Sequence, residues 1–169
     1  MTRPSNPDFP DFEHSLPMLM LRAREAVMSR FRPMLRKFDL TEQQWRIIRA
    51  LSEVRERDAG ELAAVSYILA PSLTRILQKL ESRGLVKRRS DRSDQRRVLI
   101  SLTKKGDKLF QEVRPHSRES YAGIAAALGP ERLSDLYKIL AEVETHLRSN
   151  PSTAQASPHP ESGSRIASS

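Results

Sequence analysis

The chain has 169 residues, contains no cysteine and carries a formal net charge of +8 at neutral pH. This length supports one domain with a hydrophobic core. Without cysteine, disulfide frameworks, thiolate metal sites, a cysteine nucleophile and thiol-based redox sensing are all excluded. The N-terminus has no signal-peptide pattern, and no apolar run approaches the length of about 18 residues that a membrane span needs. We therefore expect a cytoplasmic protein without a membrane partner.

The first half of the chain predicts an arm followed by four helices. Ser15 is placed to cap the first helix, which Pro33 could kink. The sequence Thr41-Glu42-Gln43-Gln44 is a capping box that starts the second helix, and Gly84 is a suitable residue to end the fourth. From the apolar spacing, the predicted elements are an extended arm over 1–14 and helices over 15–38, about 42–54, about 60–65 and about 70–83.

The second half predicts a β-hairpin followed by two helices. Two short strands over 85–89 and 97–102 flank a turn. Thr103 is placed to cap a long helix that contains Pro115, and Gly129-Pro130 separates this helix from the last one, which reaches residue 147. Residues 148–169 consist mainly of small and polar side chains, which predicts a disordered tail.

Positive charge is concentrated around the predicted hairpin. From Arg75 to Arg97 there are nine basic and three acidic residues, a net charge of +6 within 23 residues. A solvated loop is the simple interpretation of such a segment. A local excess of this size on a hairpin that follows helices is more typical of a nucleic-acid partner.

The order of the elements predicts a winged helix-turn-helix, a mainly α fold with a small β-hairpin wing. In this geometry the N-terminal end of the second motif helix enters the major groove of DNA. An arginine there, such as Arg75, could bind guanine O6 and N7 with two hydrogen bonds. The residues predicted to contact DNA from this helix are Ala70, Pro71, Ser72, Thr74, Arg75 and Gln78.

The hairpin is predicted to lie along the DNA backbone. We expect Arg96 to enter the minor groove, whose negative potential attracts arginine, and Asp94 to orient its guanidinium. The remaining basic side chains of the hairpin would neutralise phosphates. These are Arg88, Arg89, Arg92 and Arg97.

The hairpin segment "DQRRVLISLTKKG" and the helix segment "LAPSLTRILQKLESRGLVKR" resemble the MarR family of bacterial transcriptional regulators. The resemblance covers about residues 15–147, and the hairpin carries the D-x-R…L-T-x-x-G pattern of the family. Arg97 departs from it, since many members have glycine there. The segment from Ser15 to Leu51 is most similar to regulators of homoprotocatechuate degradation, which repress operons for aromatic-acid breakdown until the acid relieves repression.

This resemblance implies a homodimer that binds a palindromic operator. Residues 15–38 and 103–147 would form a helical dimerisation region, and residues 39–102 would form the DNA-binding domain. The apolar faces of the two dimerisation segments exceed what one small winged helix can cover, which independently favours an interface. The implied ligand is a small aromatic carboxylic acid, such as homoprotocatechuate or a hydroxylated nicotinate.

The sequence offers six candidate residues for that acid. Arg24 falls within the apolar stripe of the first helix and needs a partner, either a ligand carboxylate or a glutamate across the dimer. Trp45 and Arg49 lie one helical turn apart and could hold a ring acid by stacking and charge, although Trp45 could equally fill the core. The full set is His14, Ser15, Arg24, Trp45, Arg46 and Arg49.

Other functions are less consistent with the sequence. The four histidines are scattered, and we find no phosphate loop or nucleophile elbow, so we expect neither an enzyme nor a cofactor. A metal-responsive regulator would need a cluster of histidine or cysteine ligands. The alternative that stays open is an architectural or constitutive DNA-binding protein with no small-molecule ligand.

Overall fold

The computed structural model describes residues 11–91, 94 and 97–149. Six α-helices are present in this part of the chain, at α1 Leu16–Lys37, α2 Glu42–Ser52, α3 Ala59–Ser66, α4 Ala70–Ser82, α5 Lys104–Leu128 and α6 Pro130–Ser149. Three strands form one antiparallel sheet in the order β1-β3-β2, at β1 Arg57–Asp58, β2 Val86–Ser90 and β3 Val98–Leu102. The chain divides into two compact units between Ile124 and Ala125, within α5.

Two of the predicted helix caps are formed by side chains. Thr41 Oγ1 accepts a hydrogen bond from the Gln44 backbone N–H at 3.1 Å, and Gln44 Oε1 accepts one from the Thr41 N–H at 2.9 Å. Thr103 Oγ1 accepts from the Gly106 N–H at 3.0 Å at the start of α5. Each bond satisfies a backbone donor that has no partner within its helix. The capping box and the Thr103 cap are therefore confirmed.

The start of α1 differs from its prediction. Residues Phe12–His14 form a short 3-10 helix, so the segment predicted as an extended arm is helical at its end. Ser15 occupies the N-cap position of α1, but its hydroxyl donates to the Phe12 carbonyl at 2.9 Å instead of capping the helix. Pro33 lies inside α1, which is a single helix throughout. Residues 1–10 of the predicted arm lie outside the described residues.

The hydrophobic core of the first unit is built by α2, α3, α4 and the sheet. Ile47 and Ile48 of α2, Leu62 of α3, Leu80 of α4 and Ile100 of β3 are fully inaccessible to solvent. The C-terminal turns of α1 add Phe31, Met34 and Leu35 to this core, whereas its N-terminal apolar side chains are exposed in the single chain. The core thus holds α2, α3, α4 and the hairpin as one body.

Strand β1 was not predicted from the sequence. It has only two residues, both charged, so it shows no alternation of apolar and polar side chains. It pairs with β3 in the register Arg57 with Ile100 and Asp58 with Leu99. The hairpin strands β2 and β3 pair over five residues each, as predicted to within one residue at their ends.

Glycine is required at the start of α5 by a close backbone approach. A Cβ atom added to Gly106 would lie 2.0 Å from the carbonyl oxygen of Leu85. This contact packs α5 against the first residues of the hairpin, and any side chain would force the two apart. Gly84 has a positive φ of 69° and ends α4, as predicted.

The second unit contains the last turn of α5 and the helix α6. Gly129, with a φ of 82°, separates the two helices. Helix α6 ends at Ser149, so the first two residues of the predicted disordered tail are helical, and residues 150–169 lie outside the described part. No residue of α6 is buried in the single chain. Its large exposed apolar side chains are Leu136, Tyr137, Ile139, Leu140 and Leu147.

Candidate functional site

The N-terminal end of α4 presents a polar surface to solvent. Leu73, Ile76 and Leu77 fix one face of this helix in the core, which turns the opposite face outward. The six residues predicted to contact DNA are all exposed, namely Ala70, Pro71, Ser72, Thr74, Arg75 and Gln78. The Thr74 hydroxyl donates to the Ala70 carbonyl at 3.1 Å, so it is partly occupied by its own helix. Their contact with DNA stays a prediction.

The polar side chains on this surface of α4 differ in whether they make hydrogen bonds within the protein. Within residues 11–91, 94 and 97–149, no hydrogen bond or ion pair involves the side chain of Ser72, Arg75 or Gln78. A guanidinium without a protein carboxylate is available to a base edge or a phosphate oxygen. This surface therefore has the exposure and the free donors that base contacts require.

The three hairpin arginines that the structure describes are paired with carboxylates of the same chain. Arg88 Nε donates to Glu81 of α4 at 2.8 Å, and Arg89 makes two bonds to Glu56 at 2.6 and 3.1 Å. Arg97 lies 3.4 Å from Asp58. The hydrogen bonds from Arg88 hold the pKa of Glu81 below the ordinary value of a glutamate. These ion pairs connect the wing to α4 and to residues 56–58. The sequence did not predict them.

The tip of the hairpin is only partly described. Arg92 and Arg96, which the sequence assigned to DNA, lie outside the described residues. Asp94 is exposed, and its carbonyl accepts a hydrogen bond from the Arg97 N–H at 2.9 Å. The predicted orientation of Arg96 by Asp94 therefore stays a prediction.

A cavity of about 420 Å³ lies between α1, α2, β1, α3 and α5, and we call it the Trp45 cavity. Its volume falls within the range of small-molecule sites. It brings together Trp45, Arg46 and Arg49, three of the six residues predicted to bind a ligand. Its lining is Val27, Met28, Phe31, Glu42, Trp45, Arg46, Arg49, Ala50, Glu53, Arg57, Val65 and Tyr121.

Three aromatic rings form part of the cavity wall. Trp45 is 6% exposed and stacks on Phe110 with ring centroids 5.8 Å apart, so it belongs both to the core and to the cavity. Phe31 meets Tyr121 edge to face at 5.0 Å. Such a wall suits a flat aromatic ligand, because rings pack favourably at these separations.

The two predicted cavity arginines of α2 are held by neutral acceptors. Arg49 Nη1 donates to the Tyr121 hydroxyl at 2.9 Å, and its guanidinium carbon lies 5.8 Å from the centre of that ring. Arg46 Nη1 donates to the Ser66 carbonyl at 2.7 Å. These bonds fix both side chains, and no carboxylate among the described residues pairs with either guanidinium, which favours an anion in the cavity.

Arg24 is paired within its own chain. Its side chain is 45% exposed in the single chain and forms ion pairs at 2.8 Å with Glu25 and Glu42. Its contact with a ligand carboxylate, or with a glutamate across the dimer, stays a prediction. Arg24 does not line the cavity, but its guanidinium donates a hydrogen bond to Glu42, which does. Burial raises the pKa of Glu42, and the hydrogen bonds from Arg32 and Arg24 outweigh this, so the pKa lies below the ordinary value.

Comparison with known proteins agrees with this architecture. A family model described as "MarR family" matches residues 38–97. The HTH-type transcriptional regulator FarR of Neisseria gonorrhoeae is 46% identical over 133 residues, which is 77% of this chain and 91% of FarR. The chain belongs to the MarR family. The homoprotocatechuate degradative operon repressor of Escherichia coli is 44% identical over 128 residues, 76% of this chain and 86% of that protein.

Among solved MarR-family structures, NadR in complex with 4-hydroxyphenylacetate is similar to this chain. The TM-score is 0.72 and the sequences are 41% identical, with 80% of this chain and 98% of NadR covered. MarR proteins are DNA-binding regulators and not enzymes, and they are dimers. The family and the winged-helix fold predicted from the sequence are thus confirmed, as is the similarity to homoprotocatechuate regulators.

Two predicted ligand residues of this MarR protein lie away from the Trp45 cavity in the single chain. His14 Nδ1 lies 2.7 Å from an Asp11 carboxylate oxygen, and Ser15 bonds to Phe12. Conversely, the cavity includes Glu42, Arg57 and Tyr121, which sequence reasoning did not assign to a ligand. Tyr121 could have been suggested by its place on the apolar face of α5, whereas no local pattern marks Arg57.

No helix within residues 11–149 that the structure describes is long and apolar enough to cross a membrane.

Proposed function

We propose that this MarR protein is a cytoplasmic, homodimeric repressor of a catabolic operon. It binds a palindromic operator and is released from it when a small aromatic acid occupies the Trp45 cavity. The observation that carries the proposal is the combination of aromatic walls with two guanidiniums, Arg46 and Arg49, whose bonding partners are neutral.

The DNA-binding part of the proposal rests on α4 and the wing. Ser72, Arg75 and Gln78 would contact base edges, whereas Arg88, Arg89, Arg92 and Arg97 would contact phosphates, with Arg96 in the minor groove. For the paired arginines, a phosphate competes with a partly exposed carboxylate. A two-fold dimer presents two α4 helices, so its half-sites would lie about one turn of DNA apart.

The dimer part of the proposal rests on exposed apolar surface. Leu16, Leu19, Met20 and Val27 of α1 are between 38% and 58% exposed, and α6 has no buried residue. A second copy of the chain would remove this surface from water. We therefore assign residues 15–38 and 103–147 to dimerisation and 39–102 to DNA binding. His14 and Ser15, at the start of α1, are kept as predicted ligand contacts.

The ligand part of the proposal follows from the chemistry of the cavity. A ring would pack among Phe31, Trp45 and Tyr121, and its carboxylate would accept hydrogen bonds from Arg49 and Arg46. The similar NadR was solved with 4-hydroxyphenylacetate, and a similar repressor is named for homoprotocatechuate, both of which are single-ring acids. A ligand that favours the DNA-free arrangement by about 1–3 kcal/mol would weaken operator binding about 5- to 150-fold.

Fluorescence of Trp45 tests the proposal, because it is the sole tryptophan of the chain. The protein is titrated with phenylacetate, 4-hydroxyphenylacetate, homoprotocatechuate, nicotinate and 6-hydroxynicotinate. The same compounds are then added to the protein bound to DNA from its own promoter. We expect saturable quenching by at least one compound and release of the DNA at matching concentrations.

Two variants control this experiment. Arg49→Met should remove the fluorescence response and the DNA release while retaining operator binding. Arg36→Met, at an exposed position of α1 away from the cavity, should change neither. If no compound binds while operator affinity is high, the constitutive DNA-binding function is correct instead.

A further inference from the structure

Arg57 has an unusual environment in the wall of the Trp45 cavity. It lies in β1, and its side chain is only partly exposed. Its Nε atom is buried and has no hydrogen-bond partner among the described residues. A buried donor without an acceptor destabilises the protein unless a bound molecule supplies one. A donor of this kind in a cavity wall indicates an acceptor that binds there.

The charges around the cavity are also unbalanced. The cavity lining, together with the ion-pair network that Glu42 forms with Arg24, Arg32 and Glu25, contains five arginines and three glutamates, which leaves two positive charges in excess. Glu42 is already satisfied by Arg24 and Arg32. The members of this set are Arg24, Arg32, Arg46, Arg49, Arg57, Glu25, Glu42 and Glu53.

The three arginines that line the cavity lie on two different elements of the wall. Arg46 and Arg49 come from α2, one turn apart, whereas Arg57 comes from the strand β1. A ligand with one carboxylate can accept hydrogen bonds from both arginines of the α2 pair, but it leaves the Arg57 charge and its Nε donor unmatched. A second anionic group on the same ring would match both.

We propose that the ligand of the Trp45 cavity is a dianionic single-ring compound, an aromatic dicarboxylate, with one carboxylate on Arg46 and Arg49 and the other on Arg57. The proposal rests on the proposed function, because it refines the ligand of the same cavity. Charge-assisted hydrogen bonds to a guanidinium are stronger than neutral ones, so the second carboxylate adds affinity as well as selectivity.

The test compares one monoacid with its dicarboxylates. Trp45 fluorescence is titrated at constant ionic strength with phenylacetate and with the 2-, 3- and 4-carboxyphenylacetate isomers. We expect at least one isomer to bind about 10- to 100-fold more tightly than phenylacetate, the range for a hydrogen bond between charged groups. The same isomer should release the promoter DNA at lower concentration.

Two substitutions assign the preference to Arg57. Arg57→Met should lower the affinity ratio between the best isomer and phenylacetate to within about twofold, without changing the affinity for phenylacetate. Arg57→Lys, which keeps the charge, should retain most of the ratio. Arg49→Met should weaken the binding of both the monoacid and the dicarboxylates. Thermal unfolding and operator binding are measured for each variant to establish that it folds.

The possible outcomes separate the two proposals. If phenylacetate binds at least as tightly as every isomer, the dianion proposal is overturned while the proposed function stands. If neither the monoacid nor any dicarboxylate binds the unmodified protein, the proposed function fails and the refinement fails with it. If Arg57→Met weakens the dimer but leaves the affinity ratio unchanged, Arg57 is a structural residue and the dianion proposal is wrong.

Discussion

The wing and the Trp45 cavity both contain several arginines, but the two regions use them differently. In the wing, Arg88 and Arg89 are paired with carboxylates on α4 and on the segment before β1. In the cavity, Arg46 and Arg49 bond to a carbonyl and a hydroxyl, and the Arg57 Nε has no partner within the described chain. The sequence shows the higher density of charge in the wing, whereas the structure places uncompensated charge in the cavity.

This difference shows that the partner of an arginine, and not the local density of arginine, indicates what it is free to bind. A phosphate must displace the carboxylate from a paired guanidinium, so the gain in affinity is reduced. A cavity guanidinium with a neutral partner gains a full charge-assisted bond from an anion. The following four predictions test this contrast in order of expected effect.

Arg49→Met should produce the largest effect, on ligand affinity. Removing one member of a hydrogen-bonded charge pair costs about 2–5 kcal/mol, which corresponds to a loss of about 30-fold or more. Trp45 fluorescence titration with the best ring acid measures it. The matched change in the wing, Arg89→Met, should leave ligand affinity within about twofold of the unmodified protein, since Arg89 lies outside the cavity. Equal losses in the two variants would contradict the contrast.

Arg75→Ala should weaken specific DNA binding by about 1–3 kcal/mol and relax the preference at one base position of each half-site. The reason is that Arg75 has no carboxylate to displace within the described residues. Electrophoretic mobility shifts with the promoter fragment and with single-base variants of it measure both effects. A uniform loss across all fragments would show that Arg75 contacts only phosphate.

Glu42→Gln should destabilise the protein by about 1 kcal/mol at pH 7, since it removes the shared partner of Arg24 and Arg32. The pKa of Glu42 is lowered in the folded protein, so its contribution is complete above the unfolded pKa of about 4.3 and is lost as the pH falls through the folded pKa. Thermal unfolding of both proteins from pH 7 to pH 3 should show a constant difference down to about pH 5 that then shrinks. A difference that grows towards low pH would refute this assignment.

Glu81→Gln should have the smallest effect and the opposite sign, a gain of DNA affinity of about two- to threefold. It releases Arg88 from its ion pair and makes the guanidinium available to a phosphate. The slope of log affinity against log salt should become steeper by about 0.9, the value for one additional phosphate contact. Fluorescence anisotropy with labelled operator at several salt concentrations measures both. An unchanged slope would show that Arg88 does not reach the DNA.

The sequence predicted those features that depend on neighbouring residues. The capping box of Thr41 and Gln44 spans one helical turn, and Trp45 and Arg49 share a helix face because they are four residues apart. The buried face of α4 likewise follows from its own periodicity. For this reason the surface predicted to contact DNA could be listed residue by residue.

Features that depend on distant contacts were missed. Tyr121 meets Arg49 across 72 residues of sequence, and Glu42 meets Arg24 across 18. Such pairs are set by how the helices pack, and one sequence has no signal for them. Strand β1 was missed for the same reason, because a two-residue strand exists only through its pairing with β3.

Strand β1 gives the two regions a common piece of backbone. The side chain of Arg57 is part of the cavity wall. The carboxylate of the next residue, Asp58, accepts a hydrogen bond from the Gly60 N–H at the start of α3 and forms an ion pair with Arg97 of the wing. Consecutive side chains of a strand point to opposite faces, so one peptide unit separates the cavity wall from the contact with the wing. A ligand that displaces Arg57 would also displace the adjacent residue Asp58, and through its ion pair with Arg97 it would change the position of the wing.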